Sequence, residues 1–548
     1  MKTCTSLLFA AGLLLSAHGA EAQKIALVGF NLLDMENLEV VRDQTLVIEG
    51  SKILALGARQ SLKLDSDTTR VDLSGKYILP GLIDAHTHHG TEPERGDNPQ
   101  LTKSRLQALL RGGVTTVRDM GGDIRVLRHW QRLAQLDEIQ SPDIYYSVII
   151  GGASFFSDPR TQASAKGAIP GQVDWMRAVD DNTDFDALMQ RTLGTGATGI
   201  KIYAQVPAHL IRKLSDAAKR HGVKVWSHAY IGPDKPSDVI EAGVETISHT
   251  PDLSAQIIPH YENWRRKDLP VDNNTLAASL ASASYTDLLN TLRDKGTILD
   301  ATISVFEQLK DRNNNSASVY QHTAMLTRLA HQAGVTIAAG TDFQADKAGL
   351  PYPMLHHELQ LLVDDAGMTP LQALQAATLN GAKVLGMQDS IGSIGKGKMA
   401  NLLVLNQDPS QNIQHSRDIY AVIKHGHFVY RGDDARLPFV SARQAAGMLY
   451  MSGQIGNFPG TLTLAGEGID MQMHQTMQNI GAVLKEHNLG FNDVVKCTLM
   501  LADIGDWAKA SEVYKSYFQS ALPARSAFAA AGLALDAKVE VECLAALR

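Results

Sequence analysis

The stretch LPGLIDAHTHHG, residues 79–90, decides how this chain is read. Its apolar run, Leu82-Ile83-Asp84-Ala85, has the character of a buried strand that delivers His86 and His88 at its carboxyl end. Residues two apart on a strand face the same way, so the two imidazoles can grip one ion. From here to residue 385, β-rich runs alternate with helical stretches, the pattern of βαβ units with parallel strands. The candidate strands are GLIDAHTH (81–88), GVTTVRDM (113–120), DIYYSVII (143–150), GIKIYA (199–204), VKVWSHA (223–229), VETISHT (244–250), TILDATIS (297–304) and VTIAAGTD (335–342). They match the eight strands of a (β/α)8 TIM barrel, so an α/β barrel over residues 80–385 is the expected fold. In RHGVKVW (220–226), EAGVETI (241–247) and QAGVTIA (332–338), helix gives way to strand at a Gly, which accepts a left-handed cap.

Ligand-type residues fall at the ends of these runs. Lys201 lies in the fourth, His228 ends the fifth, His249 the sixth and Asp342 the eighth. Together with His86 and His88 they point to the carboxyl end of the barrel, where barrel enzymes keep their active sites. A lone histidine at a strand end is ordinarily a satisfied polar residue. Accident does not explain a full ligand set at one rim. His221 and His331, each beside a helix-terminal Gly, read as caps or surface residues. His89, His356 and His357 stay open between surface and supporting roles. Lys201 needs its own argument, because an ammonium offers a metal no lone pair. Carboxylation by carbon dioxide would create an anionic group on a long stem, able to bridge two divalent ions about 3.5 to 4 Å apart. The alternative is a cationic lysine that draws acidic substrates.

Outside the barrel the text changes. IALVGFNLLD (25–34), QTLVIEGSKILALG (44–57) and TRVDLSGKYILPG (69–81) are short β-rich runs, and SIGSIGKGKMANLLVLN (390–406) and IYAVIKHGHFVYRG (419–432) return to the same style. Residues 23–79 and 386–435 are therefore expected to complete one small β-sandwich. A separate α+β module of ordinary domain size follows over residues 437–548. Its candidate elements are GMLYMSGQIG (447–456), a helical DMQMHQTMQNIGAVLKEHNLG (470–490), the strand DVVKCTLMLA (493–502), another helix and KVEVECLAAL (538–547).

A chain of 548 residues exceeds one ordinary core, and 44% hydrophobic with 20% charged residues is plain globular usage. The net charge of −7, with no basic block, argues against a nucleic-acid surface and for small-molecule or peptide substrates. Lys2, the apolar run from Leu7 to Leu15 and Ala20-Glu21-Ala22 form a signal peptide over residues 1–22, so a secreted or periplasmic protein is expected. No apolar run approaches the roughly 20 residues of a membrane span. Of three cysteines, Cys497 and Cys543 remain after such cleavage. Both lie in apolar strand-like runs, where a free thiol behaves as a small buried hydrophobe, and that is the expected state; pairing in an oxidising compartment is the alternative.

Residues 24–431 resemble the amidohydrolase superfamily, in the branch of imidazolonepropionase and metal-dependent prolidases. The resemblance rests on LPGLIDAHTHHG, GVTTVRDMGG (113–122), GIKIYA, VWSHAY (225–230), ETISHT (245–250), AAGTDF (338–343), MTPLQALQAATLNGAKVLG (368–386) and GSIGKGKMANLLVL (392–405). It implies that His86 and His88 bind the more buried ion, that His228 and His249 bind the other, that Lys201 bridges and that Asp342 touches the buried ion. Lys201 separates the chain from mononuclear relatives, while Asn401 stands where the family usually has Asp, away from the chemistry. Two divalent ions, zinc by default and manganese or iron as alternatives, would lower the pKa of a bridging water towards about 7 and polarise a scissile carbonyl. Asp342 would take the proton and hand it to the leaving nitrogen. In the long loop GGASFFSDPRTQASAKGAIPG (151–171), Arg160 is a candidate clamp for a substrate carboxylate, with a turn-stabilising role as the alternative. Tyr203 is a candidate donor to the polarised oxygen. Hydrolysis of an amide or peptide bond is expected, in Xaa-Pro dipeptides or N-acyl amino acids.

Residues 437–548 resemble the Rid family, the YjgF-like enamine and imine deaminases of chorismate-mutase-like fold. The matching text is LYMSGQIG (449–456), the run from Gln475 to Phe518, LPARSAF (522–528) and KVEVECLAAL. The resemblance implies that Arg525 holds a substrate carboxylate, that Gly453 and Glu540 place the reacting atom or its water, and that the protein is a homotrimer with sites between subunits. Phe439 replaces the usual Tyr and Ala527 a frequent Cys. The module therefore reads either as a second catalytic centre or as a trimerisation or ligand-binding unit.

Overall fold

Parallel strands buried on both faces read as nearly continuous apolar text, and the first two barrel runs are buried along their whole length. In the computed structural model all eight runs are strands: Leu82–Thr87, Val114–Asp119, Asp143–Gly151, Gly199–Ala204, Lys224–His228, Thr246–Ser248, Ile298–Asp300 and Ile337–Ala338. Each pairs with the next in parallel. The eighth meets the first through individual backbone bonds: Ala85 N donates to Ala339 O at 3.0 Å and Asp342 N to His86 O at 2.8 Å. The nearly closed barrel is thus joined beside His86 and Asp342. The structure describes residues 24–66, 68–88, 98–258, 280–311, 314–342, 352–431, 440–457, 464–518 and 521–547. The expected signal peptide, His89 and Phe439 lie outside the described residues.

The helices between strands are amphipathic for a visible reason. In Ala208–His221 the buried residues Leu210, Ile211, Leu214, Ala217 and Ala218 recur at helical spacing and cover the barrel. The helix stops at Gly222, whose φ of 69° suits a residue without Cβ. Among the described residues, no helix is long and apolar enough to cross a membrane.

The two flanks hydrogen-bond into one eight-stranded sheet. Tyr77–Pro80 is the junction: it runs parallel to Lys24–Asp34 and antiparallel to Leu402–Leu405, so the N-terminal and C-terminal strands share a ladder. That ladder buries Leu27, Phe30, Leu46 and Ile48 from one flank against Leu402, Val404 and Ile423 from the other.

The last module carries its own sheet, in the order Ala442–Ala445, Met448–Met451, Val539–Ala546, Val494–Leu501, Ala524–Ala529. One face is dry: Cys497, Leu499, Leu501, Val539, Val541 and Cys543 pack with Met473, Met477, Ile480 and Leu484 of the helix Ile469–Glu486. The alternate residues, Thr498, Met500, Glu540, Glu542 and Leu544, are partly or fully exposed. The cysteines correct the expectation of free thiols. They are directly opposite in the antiparallel ladder, with Cα atoms 4.1 Å apart, and form a disulfide. Sequence shows each cysteine in an apolar run, but only the register makes them partners. Replacing both with Ala releases a loop of 46 residues in the unfolded chain and should destabilise this module by about 3–4 kcal/mol. Hydrogen exchange of the Val494–Leu501 amides reads this, and unchanged protection would contradict it.

Candidate functional site

The strand ends deliver their side chains to one point. The rings of His86 and His88 are 5.5 Å apart, those of His86 and His249 5.0 Å, and those of His228 and His249 4.9 Å. Asp342 reaches in from the eighth strand, with Oδ1 at 3.3 Å from His86 Nε2 and 3.1 Å from His88 Nε2, and Oδ2 at 3.7 Å from His249 Nδ1. The ligand atoms of His86, His88 and Asp342 all lie within 4.8 Å of one another, close enough to surround one ion.

Hydrogen bonding on the far side of each ring prepares it. His88 Nδ1 meets Gly121 O at 3.1 Å and His228 Nδ1 meets Tyr203 O at 2.9 Å. A carbonyl only accepts, so Nδ1 carries the proton, and Nε2 is the ring atom that would offer a lone pair to a metal ion. His86 Nδ1 faces the Asp300 carboxylate at 2.6 Å, and His249 Nδ1 faces Thr302 Oγ1 at 3.0 Å. Burial lowers the pKa of His86 against the pull of Asp300 and Asp342, favouring the neutral donor. Asp342 is partly buried, and desolvation alone would raise its pKa; the charges that His86 and His249 carry when protonated, and the hydrogen bond from His88, outweigh this and hold it well below the usual carboxylate range.

Lys201 is fully buried in the same rim. Its Nζ donates to Ser248 Oγ at 2.6 Å and Ser227 O at 3.1 Å. Burial first, and then the charge of Arg118, push its ammonium down to about 7. The rim also holds backbone that side chains rarely adopt: φ is 73° at His249, 52° at Thr302 and 50° at Asp342. Such left-handed positions cost about 1–3 kcal/mol each and persist where the surroundings over-determine them.

Other expected residues fare differently. Arg160 is exposed and bound to Asp158, Nη2 to Oδ2 at 2.7 Å, in the turn that opens the helix Pro159–Ala165. This is the turn-stabilising arrangement, and the Arg160 charge still acts on Tyr203 at the rim. Tyr203 stands at the rim, but its hydroxyl donates to Met120 O at 2.8 Å instead of facing the ligands as a donor. Its ring meets His228 edge-on and stacks on Phe155. Both ring nitrogens of His356 are engaged, with Ser416 Oγ and Gly112 O, and His357 pairs with Glu307 at 3.2 Å. His221 pairs with Asp186 at the surface.

In the last module, Arg525 is level with Cys497 and so shares its helix-covered face. It donates to Ser511 Oγ at 2.9 Å and its guanidinium lies over Trp507 and Tyr514, 5.2 and 5.3 Å from their rings. Glu540 is level with Met500 on the opposite face. Gly453 adjoins Glu540, since a Cβ there would collide with its carboxylate. Within one chain Gly453 and Glu540 come together, whereas Arg525 lies across the sheet from them.

Sequence reading passed over Asp300, Thr302, Arg118 and Ser248. Asp300 ends the seventh strand as His228 ends the fifth, so its position was the available signal. Gly340 was a second omission: a Cβ there would run into His86 and the Asp300 carboxylate.

Residues 77–429 match the amidohydrolase family. The chain belongs to the amidohydrolase family. Its segment 433–547 matches the family described as endoribonuclease L-PSP. That segment is 40% identical over 108 residues to a 2-iminobutanoate/2-iminopropanoate deaminase of Mus musculus, covering 20% of this chain and 80% of the relative. It is 38% identical over 110 residues to the chloroplastic Reactive Intermediate Deaminase A of Arabidopsis thaliana, covering 20% of this chain and 59% of that protein. A solved Xaa-Pro dipeptidase with methionine bound in its active site superposes with a TM-score of 0.59 at 23% identity, over 75% of this chain and all of that one. This amidohydrolase is thus a hydrolase barrel followed by a Rid-type module. Substituting Gly340→Ala in the amidohydrolase barrel should cost about 1–3 kcal/mol through overpacking at the barrel seam. A urea midpoint indistinguishable from wild type would show that the seam yields to a methyl group.

Proposed function

We propose that the barrel is a binuclear metal-dependent hydrolase that cleaves an amide or peptide bond of a small substrate, with Xaa-Pro dipeptides and N-acyl amino acids as the leading classes. The observation that carries this reading is the convergence of four histidines, each bonded through Nδ1, with Asp342 and a buried Lys201 at one rim. The donor set fits metal: two of the rings must carry their proton on Nδ1, and a carboxylate lies among Nε2 atoms. His86, His88 and Asp342 would hold one ion, His228 and His249 the other, and a carboxylated Lys201 would link them. Imidazole and carboxylate donors suit zinc. When bound, such ions supply a water that ionises near neutral pH and a positive charge for the scissile carbonyl.

The chain supplies the rest. Carboxylation needs a neutral amine: Lys201 Nζ forms a bond to the carbon of carbon dioxide and releases a proton, leaving an anionic carboxylate. A buried lysine pushed down to about 7 offers that neutral amine at neutral pH. Asp342, held ionised, can accept a proton from the attacking water and return it to the leaving nitrogen. Phe155 and Tyr203 form an aromatic wall beside His228, and Phe306 stands edge-on to His249. Those rings favour proline or another apolar group next to the scissile bond. Arg160 already spends Nε and Nη2 on Asp158, so substrate recognition through the aromatic wall is preferred.

A second reading applies to the Rid-type module. Because Arg525 and Glu540 lie on opposite faces of one sheet, a deaminase site containing both requires residues of a second copy. A homotrimer with sites between subunits meets that requirement, with imines or enamines as substrates; without activity, the module would serve assembly or ligand binding. The Cys497–Cys543 disulfide supports a secreted or periplasmic location, since such bonds persist in oxidising compartments.

Metal analysis of purified protein should find about two ions per chain, falling to about one or fewer in Lys201→Ala; two ions retained in that variant would overturn the bridge. Asp342→Asn should lower kcat on the best Xaa-Pro or N-acyl substrate by about 10²–10⁴-fold. Arg525→Ala should abolish imine hydrolysis without changing the trimer, and no difference in imine turnover would leave the assembly role alone.

A further inference from the structure

One oxygen in the barrel serves both halves of the candidate metal centre. Asp300 is fully buried, and its Oδ2 meets His86 Nδ1 at 2.6 Å, Arg118 Nη2 at 2.9 Å and Ser248 Oγ at 3.1 Å. Ser248 Oγ in turn accepts from Lys201 Nζ at 2.6 Å. A carboxylate only accepts, so the Ser248 hydroxyl proton points at Asp300 and its lone pairs face Lys201. The chain from Lys201 nitrogen through the Ser248 hydroxyl to the Asp300 carboxylate therefore has one direction, and it orients the lysine nitrogen. The same oxygen orients His86 by receiving its Nδ1 proton.

An ionised Asp300 is tolerable in this interior because Arg118 faces it. Arg118 is itself immobilised: Nε donates to Ala85 O, and the guanidinium lies 4.7 Å over the Trp226 ring. Trp226 is anchored by Nε1 donating to Val384 O at 3.1 Å. The ion pair thus has a fixed frame, and its carboxylate is spent on a candidate ligand of one ion and on the candidate bridge between both.

We propose that Asp300 is a positioning residue that couples the two halves of the centre, so that retention of the His86–His88 ion and carboxylation of Lys201 are lost together when it is removed. This rests on the binuclear reading above. Ser248 carries only the lysine branch, and Arg118 only neutralises.

The test compares full-length wild type, Asp300→Asn, Ser248→Ala and the double variant Arg118→Met/Asp300→Asn. Zinc affinity is measured by chelator competition, and Lys201 carboxylation by the 13C resonance of protein equilibrated with labelled bicarbonate. Asp300→Asn should weaken the zinc held by His86 and His88, which is taken as the tighter of the two, by about 10–100-fold and abolish the carboxylate resonance. Ser248→Ala should diminish that resonance while the tighter zinc stays within about twofold of wild type, since the carboxylate on His86 remains. The double variant leaves no unpaired buried cation. If Asp300→Asn fails to fold, the double variant is read in its place, and it should show the same joint loss. Wild-type zinc affinity or an intact resonance, in whichever of the two is read, overturns the proposal. Loss of the tighter zinc in Ser248→Ala also overturns it, because the branches would then not be separate. A wild type that holds fewer than two ions instead overturns the binuclear reading, a failure distinguishable from the others because it appears before any substitution.

Discussion

The seam between the first and eighth barrel strands is the constraint on which the site depends. Asp342 N donates to the carbonyl of His86, and Ala85 N to the carbonyl of Ala339. These bonds join residues more than 250 positions apart and hold the Asp342 carboxylate against the imidazoles of His86 and His88. Gly340 makes the approach possible, since its missing side chain leaves room for His86 and Asp300. The positive φ of Asp342 then turns its side chain inward instead of continuing the strand.

Around that seam the barrel accepts unfavourable terms. Lys201, Asp300 and Arg118 are fully buried ionisable groups and Asp342 is a partly buried one, and each needs a partner to be tolerated. Hydrogen bonds to carbonyls, hydroxyls and opposing charges supply those partners. The stability that offsets their burial comes from the apolar residues between barrel and helices, such as Ile200, Ile202, Leu210 and Leu214. A rim of this kind is a place where chemistry has displaced packing.

Much of this arrangement was legible in residue order. Strand and helix periods differ, so eight apolar runs separated by amphipathic stretches specify a barrel, and residues at the carboxyl ends of strands in that fold share a rim. His86, His88, Lys201, His228, His249 and Asp342 could be grouped for that reason. Asp300 shares the same position, yet a carboxylate whose partners are His86, Arg118 and Ser248 has no spacing rule to mark it. Tyr203 and Arg160 illustrate the opposite case. Their residue types suit substrate binding, but Met120 O and Asp158 occupy them in the folded chain.

The sequence by itself determined the barrel, the flanking strands, the separate C-terminal module and the set of ligand-type residues, because periodicity and strand ends are local properties of the text. Only the tertiary structure decided that Cys497 meets Cys543, that the flanks share one ladder, that Asp300 serves both His86 and Ser248, and that Arg525 and Glu540 face opposite sides of their sheet. Each of these depends on register or on which side a chain crosses, and residues far apart in sequence carry no local signal of either.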